Sequence, residues 1–209
     1  LISLTGMLPY LLTGSIQEIS SAFFETMSGY TTTGSSILTD IESIPAGVLF
    51  WRSMTHWIGG MGIIVLAIAI LPLLGIGGMQ LFTAEAPGPS SDKLHPRITD
   101  TAKRLWLIYV SFTLAETVLL FFAGMSLFDA LNHAMSTLST GGFSTKNNSL
   151  AHWNHLPWIQ YIVIFFMFLA GTNFVLSYFA FTGKIKKVFK DDEFRIYVKF
   201  ILVFTLIVA

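Results

Sequence analysis

Long apolar runs alternate with short polar ones along this chain. Three runs, residues 45–74, 105–124 and 156–181, each supply the roughly 20 apolar positions a helix needs to cross about 30 Å of hydrocarbon. A fourth begins at Ile196 and continues for 14 residues to Ala209, too short to cross on its own. Between the runs lie segments rich in Thr, Ser and Gly. The pattern predicts an all-α membrane protein, with both ends internal to a longer chain.

One polar segment occurs twice, 108 residues apart, at 22–36 and 130–144. Without a gap, Ala, Met, Ser, Thr, Gly and Ser coincide at six of the fifteen positions. Each copy reads as a short helix, 16–30 or 127–138, followed by a Thr/Ser/Gly loop. Helices of that length reach the middle of a bilayer without crossing it. Capping boxes are available at Ser15-Ile16-Gln17-Glu18 and Ser126-Leu127-Phe128-Asp129.

Charge fixes an expected orientation. Ten of the twelve Lys and Arg fall in two segments, Lys93 to Arg104 and Lys184 to Lys199; only Arg52 and Lys146 lie elsewhere. The positive-inside rule puts both segments in the cytoplasm and 13–44 and 125–155 outside. Two spans separate the copies, so both enter from the same face, as parallel repeats about an axis along the membrane normal. Each unit is then outer helix, re-entrant pore segment, inner helix. The expected division is 1–82 for the first unit, 83–104 for a cytoplasmic linker, 105–182 for the second unit, 183–195 for a basic linker and 196–209 for the start of a third unit.

Composition agrees. Hydrophobic residues make up 53% and charged residues 11% of the chain, against roughly 25% charged in soluble proteins. A net charge of zero gives no pull toward nucleic acid, and with no cysteine there are no disulfides or thiolate metal sites.

The loops suit a cation. A pore helix entering from outside aims its partly negative C-terminus at the membrane centre. Thr31-Thr32-Thr33-Gly34-Ser35 and Ser139-Thr140-Gly141-Gly142-Phe143 then offer carbonyls and small hydroxyls with no charged side chain. Carbonyl rings replace a potassium ion's hydration shell, and glycine permits the backbone angles this needs.

Phe23-Phe24-Glu25-Thr26-Met27-Ser28-Gly29-Tyr30-Thr31-Thr32-Thr33-Gly34 resembles the first filter region of the bacterial TrkH potassium-uptake family. His56-Trp57-Ile58-Gly59-Gly60-Met61-Gly62, Gly75-Ile76-Gly77-Gly78-Met79, Ala84-Glu85-Ala86-Pro87-Gly88-Pro89, Pro96-Arg97-Ile98, Gly141-Gly142-Phe143-Ser144-Thr145 and Asp192-Glu193-Phe194-Arg195 extend the resemblance over nearly the whole chain. It implies the Trk/Ktr/HKT superfamily, with four helix–pore–helix units around one pseudo-fourfold pore. It also implies filter glycines at Gly34 and Gly142, with Thr32, Thr33, Thr140 and Gly141 supplying further oxygens to K+, the transported ion. No organic cofactor is implied. A homodimer, a cytosolic nucleotide-binding gating subunit of the TrkA type, and residence in the bacterial inner membrane among its lipids follow as expectations. With two of four filters, this stretch alone is expected not to conduct.

Three other readings stand beside this one: a sodium-dependent KtrB-type subunit, a membrane-embedded hydrolase using Ser35, His133 and Glu25, and a non-transporting pseudo-subunit or incomplete gene. The glycines around Gly59 and Gly75 read as close helix packing rather than a nucleotide loop, since no Lys-Ser/Thr follows them. His152-Trp153-Asn154-His155 reads as an exposed or interfacial loop, and Asn147-Asn148-Ser149 fits a glycosylation sequon. Glu116, alone in mid-span, is expected to face the bundle interior, near Asn173 or protonated. Glu25 is expected to steady its loop, and Lys184 to Lys190 to meet anionic lipid or the gating ring.

Overall fold

The pore helices are set by their caps. The computed structural model describes residues 2–62 and 98–208. The aliphatic stretch 63–74 with Pro72, the glycines from Gly75 to Gly78, and the motifs at Ala84 to Pro89 and Pro96-Arg97 lie outside the described residues. Two short helices, α1 (Ile2–Gly6) and α2 (Leu8–Leu12), lead to the first pore helix, α3 (Ile19–Tyr30). The first inner helix is α4 (Ala46–Trp57), followed by a π turn at Ile58–Gly62. After the undescribed stretch come the outer helix α5 (Ile98–Phe122) and the second pore helix α6 (Leu127–Leu138). The remaining helices are α7 (Pro157–Ala170), α8 (Phe174–Phe181), α9 (Ile185–Lys190) and α10 (Asp192–Val208). Among the described residues the fold is all-helical, in two outer helix–pore helix–inner helix units.

At α6 the expected cap forms. Ser126 is extended, and its hydroxyl oxygen accepts the Asp129 amide at 3.0 Å while donating to the Asp129 carboxylate at 2.7 Å. The first pore helix corrects the expectation, starting at Ile19 rather than residue 16, and Ser15 does not cap it. Ile16 is drawn into a cluster with Tyr10, Ala22 and Val48, and its amide donates to the Tyr10 carbonyl at 3.3 Å. The chain therefore turns through Gly14 (φ 69°) before the helix can begin. Glu18 becomes the N-cap residue, its carboxylate accepting the Ser20 and Ser21 hydroxyls at 2.5 and 2.8 Å. These bonds hold its carboxyl below the ordinary glutamate range. With that shift, α3 and α6 are each 12 residues long and their starts lie 108 residues apart.

Of the expected spans, 105–124 lies almost wholly within α5, whose Lys103–Phe122 segment is long and apolar enough to cross a bilayer. The span expected over 156–181 is not one helix. It breaks between α7 and α8, which meet at 103°. The Asn173 side chain accepts the Val175 amide at 3.0 Å and so caps a new helix instead of continuing the old one. The start of α10 occupies the break: the Tyr197 hydroxyl donates to the Phe168 carbonyl at 3.2 Å, and a Cβ built on Gly171 would strike that hydroxyl.

The first inner helix breaks likewise, with Gly60 outside helical space (φ −64°, ψ −139°). The first break, at Gly60, falls fifteen residues after Pro45, and the second begins at Gly171, fourteen after Pro157. The first break is where α4 meets both pore-helix ends. A Cβ on Gly59 would collide with the Tyr30 carbonyl, and one on Gly60 would lie 2.9 Å from the Ser139 Cβ. Close approach of backbones is thus what these two glycines provide. Around the break, the Trp57 indole donates to Thr113 at 3.0 Å, and the Tyr109 hydroxyl donates to the Trp57 carbonyl at 3.1 Å. These bonds fasten α4 to α5.

Gly59→Ala should destabilise the protein by about 1–3 kcal/mol through this overpacking. Gly47→Ala, where a Cβ meets nothing within 4 Å, should be neutral or stabilising by up to about 1 kcal/mol. Thermal unfolding of the full-length protein in detergent measures both.

Candidate ion-selectivity site

Both pore helices end in the same way. After α3 the Thr32 amide donates to the Gly29 carbonyl at 3.0 Å and the Thr33 amide to the Ser28 carbonyl at 3.0 Å. After α6 the Thr140 amide donates to the Thr137 carbonyl and the Gly141 amide to the Ser136 carbonyl, both at 2.9 Å. This is the double bond of a Schellman cap, which requires a left-handed residue at its turn. Glycine normally takes that position. Here Thr32 (φ 53°) and Thr140 (φ 56°) take it, at a cost of roughly 1–2 kcal/mol each for a residue with a Cβ. Two residues on, the backbone is left-handed again, at Gly34 (φ 75°) and Gly142 (φ 90°).

The caps use up the amides of the first loop residues. Among the described residues, no backbone amide donates to the carbonyls of Thr31, Thr32, Thr33 and Gly34, or to those of Thr140, Gly141 and Gly142. Each loop therefore carries a run of unengaged carbonyl oxygens directly after a helix C-terminus. The hydroxyls differ between copies: Thr31 and Thr33 bond each other at 2.8 Å, whereas Thr140 donates to the Ser139 carbonyl at 2.7 Å.

The two loops abut. A Cβ on Gly34 would collide with the carbonyl oxygen of Gly141, while one on Gly142 would meet nothing within 4 Å. A Cβ on Gly141 would run into the His56 imidazole, which is itself stacked on Phe143 with centroids 3.8 Å apart. All six residues singled out from the sequence, Thr32, Thr33, Gly34, Thr140, Gly141 and Gly142, thus lie on two adjoining loops of one backbone form.

Behind the loops, the same position of each pore helix holds its own loop. Glu25 accepts the Ser36 hydroxyl at 2.9 Å and the Ile37 amide at 3.0 Å. His133, 108 residues later, bonds Ser144 at 3.0 Å, and Ser144 lies 108 residues after Ser36. His133 Nδ1 faces the Asp129 carbonyl at 2.8 Å, so Nδ1 donates there and Nε2 accepts the Ser144 hydroxyl. Among the described residues, no hydrogen bond joins Ser35 to His133 or His133 to Glu25, the links a nucleophile–base–acid set would use.

Arg52 was not among the sequence-derived site residues. It lies in α4, 2% exposed, and pairs with Glu25 at 2.7 Å. The signal was present: it is one of two basic residues outside the two Lys/Arg-rich segments, and it falls in an apolar span. Glu116 is fully buried in α5, and neither carboxylate oxygen is hydrogen-bonded to a described residue. Asn173 turns instead to Val175 and Glu193. Farther along the chain from the two loops, Asn147 ties the segment after the second loop to the segment after the first. Its side chain accepts the Ile41 amide at 2.7 Å and donates to Asp40 at 2.9 Å, and its backbone amide donates to Glu42 at 3.2 Å. The Asn147 amide holds the Asp40 carboxyl below the usual carboxylate range.

Residues 2–208 match the TrkH family model, described as a cation transport protein. The chain is 48% identical over 206 residues to the Trk system potassium uptake protein TrkH of Escherichia coli K12, covering 97% of this chain and 42% of that protein. It is 44% identical over 178 residues to the Trk system potassium uptake protein TrkG of the same organism, covering 84% of this chain and 36% of that one. The crystal structure of the potassium transporter TrkH from Vibrio parahaemolyticus matches with a TM-score of 0.81 at 38% identity, over 99% of this chain and 42% of that one.

The strained threonines give a test of the loop geometry. Thr32→Gly should stabilise the full-length protein by about 1 kcal/mol by removing the left-handed penalty. Thr140→Gly should gain less, because it gives up the bond to Ser139. Thermal unfolding midpoints of the two variants read the difference.

Proposed function

The chain belongs to the TrkH family of cation transport proteins, and from that premise we propose that its two loops are two quarters of a potassium filter. It spans about 42% of the length of the E. coli relative it matches, so the activity of the whole protein is part of this proposal. Backbone carbonyls at Gly34 and Gly142 bind the dehydrated ion, and oxygens of Thr32, Thr33, Thr140 and Gly141 complete the two quarters. The observation that carries the reading is the repeated run of unengaged carbonyls after a left-handed threonine, on two loops in contact.

The physics is ion exchange between water and protein. A potassium ion enters only if oxygens replace its hydration shell, and leaves only if none of them traps it. Neutral carbonyls meet both demands. The C-termini of α3 and α6 add partial negative charge on the loop side without a fixed anion. The left-handed backbone at Gly34 leaves no room for a side chain between the loops.

Two further units complete the pore in the whole transporter. Its filter loops face outward and the linkers 83–104 and 183–195 face the cytoplasm of a bacterial inner membrane, by the distribution of Lys and Arg. A dimer and a cytosolic nucleotide-binding partner belong to the same proposal. The Trk-system names of the relatives favour this system over the sodium-dependent KtrB type.

The test is rescue of a potassium-uptake-deficient bacterium on low potassium. The 209-residue chain is compared with a form extended at both ends to the length of its relatives. Rescue by the extended form only is expected. In that form Gly34→Ala should abolish uptake, and Gly142→Ser should reduce discrimination against sodium by about tenfold. Unchanged discrimination in Gly142→Ser would remove this residue from the filter.

A further inference from the structure

One buried cation stands beside the cation loops. The Arg52 and Glu25 side chains are 3% and 0% exposed, with Nε 2.7 Å from Oε1. Arg52 has a second hold that Glu25 does not account for. Its Nη1 donates to the Ser144 carbonyl at 3.1 Å, and its guanidinium lies 3.5 Å over the Phe143 ring. Phe143 and Ser144 directly follow Gly142, whereas Ser36 and Ile37, which Glu25 holds, follow Gly34. A continuous path of contacts therefore runs from the first loop through Glu25 and Arg52 to the second.

The second unit has no such pair. Its inner helix α7 contains no arginine, and the Glu25 position is occupied by His133, which holds Ser144 through a neutral bond. Ser144 is thus gripped twice, by its own unit through the hydroxyl and by the preceding unit through the carbonyl. Buried ion pairs seldom add net stability, because desolvation offsets the attraction. What a guanidinium adds is a planar fork that meets a carboxylate, a carbonyl and a ring face at once. Its charge would repel a permeating cation unless a fixed anion cancels it nearby.

We infer that Arg52 is a positioning residue that sets the register of the second loop against the first, and that Glu25 both anchors it and neutralises it toward the ion path. The inference rests on the filter reading. It assigns the two partners different consequences. Loss of Arg52 frees the second loop, and discrimination between ions falls. Replacing Glu25 by Gln keeps one acceptor oxygen for the Ser36 hydroxyl and Arg52 but gives up the bond from the Ile37 amide, and it leaves a bare cation beside the loops, so that ion binding weakens.

The experiment uses the full-length protein in proteoliposomes, following Rb+ uptake and its inhibition by Na+. Arg52→Gln should let Na+ compete about tenfold better without raising the half-saturating Rb+ concentration. Arg52→Lys, which keeps the charge but not the fork, should recover part of the discrimination. Glu25→Gln should instead raise the half-saturating Rb+ concentration about tenfold, the effect of an uncancelled charge. Wild-type discrimination in Arg52→Gln, or the same change in both parameters for both variants, overturns the inference. If Arg52→Gln is not recovered as monodisperse protein, Phe143→Leu is measured, which keeps the ion pair and removes the ring. Partial loss of discrimination supports the inference, and none overturns it. Absence of Rb+ uptake by the unaltered protein defeats the filter reading itself, whereas normal uptake indifferent to Arg52 defeats only this assignment.

Discussion

Backbone hydrogen bonding at the ends of the two pore helices constrains everything around them. A helix end at membrane depth cannot leave its carbonyls to water, so the chain must turn back and supply amides. At α3 and α6 it does so with a cap that draws its amides from the first residues of the loop. The result is a division of labour along one stretch of backbone. Its N–H groups face the helix, and its C=O groups are left for something else. A left-handed residue is the condition for that turn, and threonine accepts the strain in both copies.

The inner helices are shaped by the same ends. α4 approaches both pore-helix C-termini, and only glycine allows it to pass the Tyr30 carbonyl. The helix gives way there, and its counterpart gives way at the corresponding place in the second unit, where α10 fills the gap. The bends are therefore consequences of packing against a neighbour, not of proline, which sits at the start of each inner helix.

Much of this was legible in the sequence, for identifiable reasons. The 108-residue register survives where the two copies repeat a bond: Ser28 and Ser136 and Thr32 and Thr140 in the helix caps, and Ser36 and Ser144 in the hold on each loop. Hydropathy located the outer helix α5 because lipid demands it along that whole length. The start of α3 was misplaced because Ser15 has the chemistry of a cap, and only the burial of Ile16 diverts the chain. The break at 171–173 was missed because a glycine and two polar residues do not interrupt an apolar run enough to announce a turn of 103°. The left-handed threonines carry no local signature, since β-branched residues avoid that conformation. Arg52 was visible as an isolated charge, but its partners lie 27 and 92 residues away in the chain.

The contact between the loops has a direction. Gly34 of one unit leans on the Gly141 carbonyl of the next, and Gly142, the counterpart of Gly34, has an open side. Two equivalent units thus meet through different surfaces, as in a head-to-tail interface rather than a two-fold one. Such an interface, repeated, advances around an axis in a single rotational sense and is complete only when the last unit meets the first. Order along the chain then becomes order around a ring, and units that have diverged in sequence, like Glu25 and His133, keep fixed neighbours.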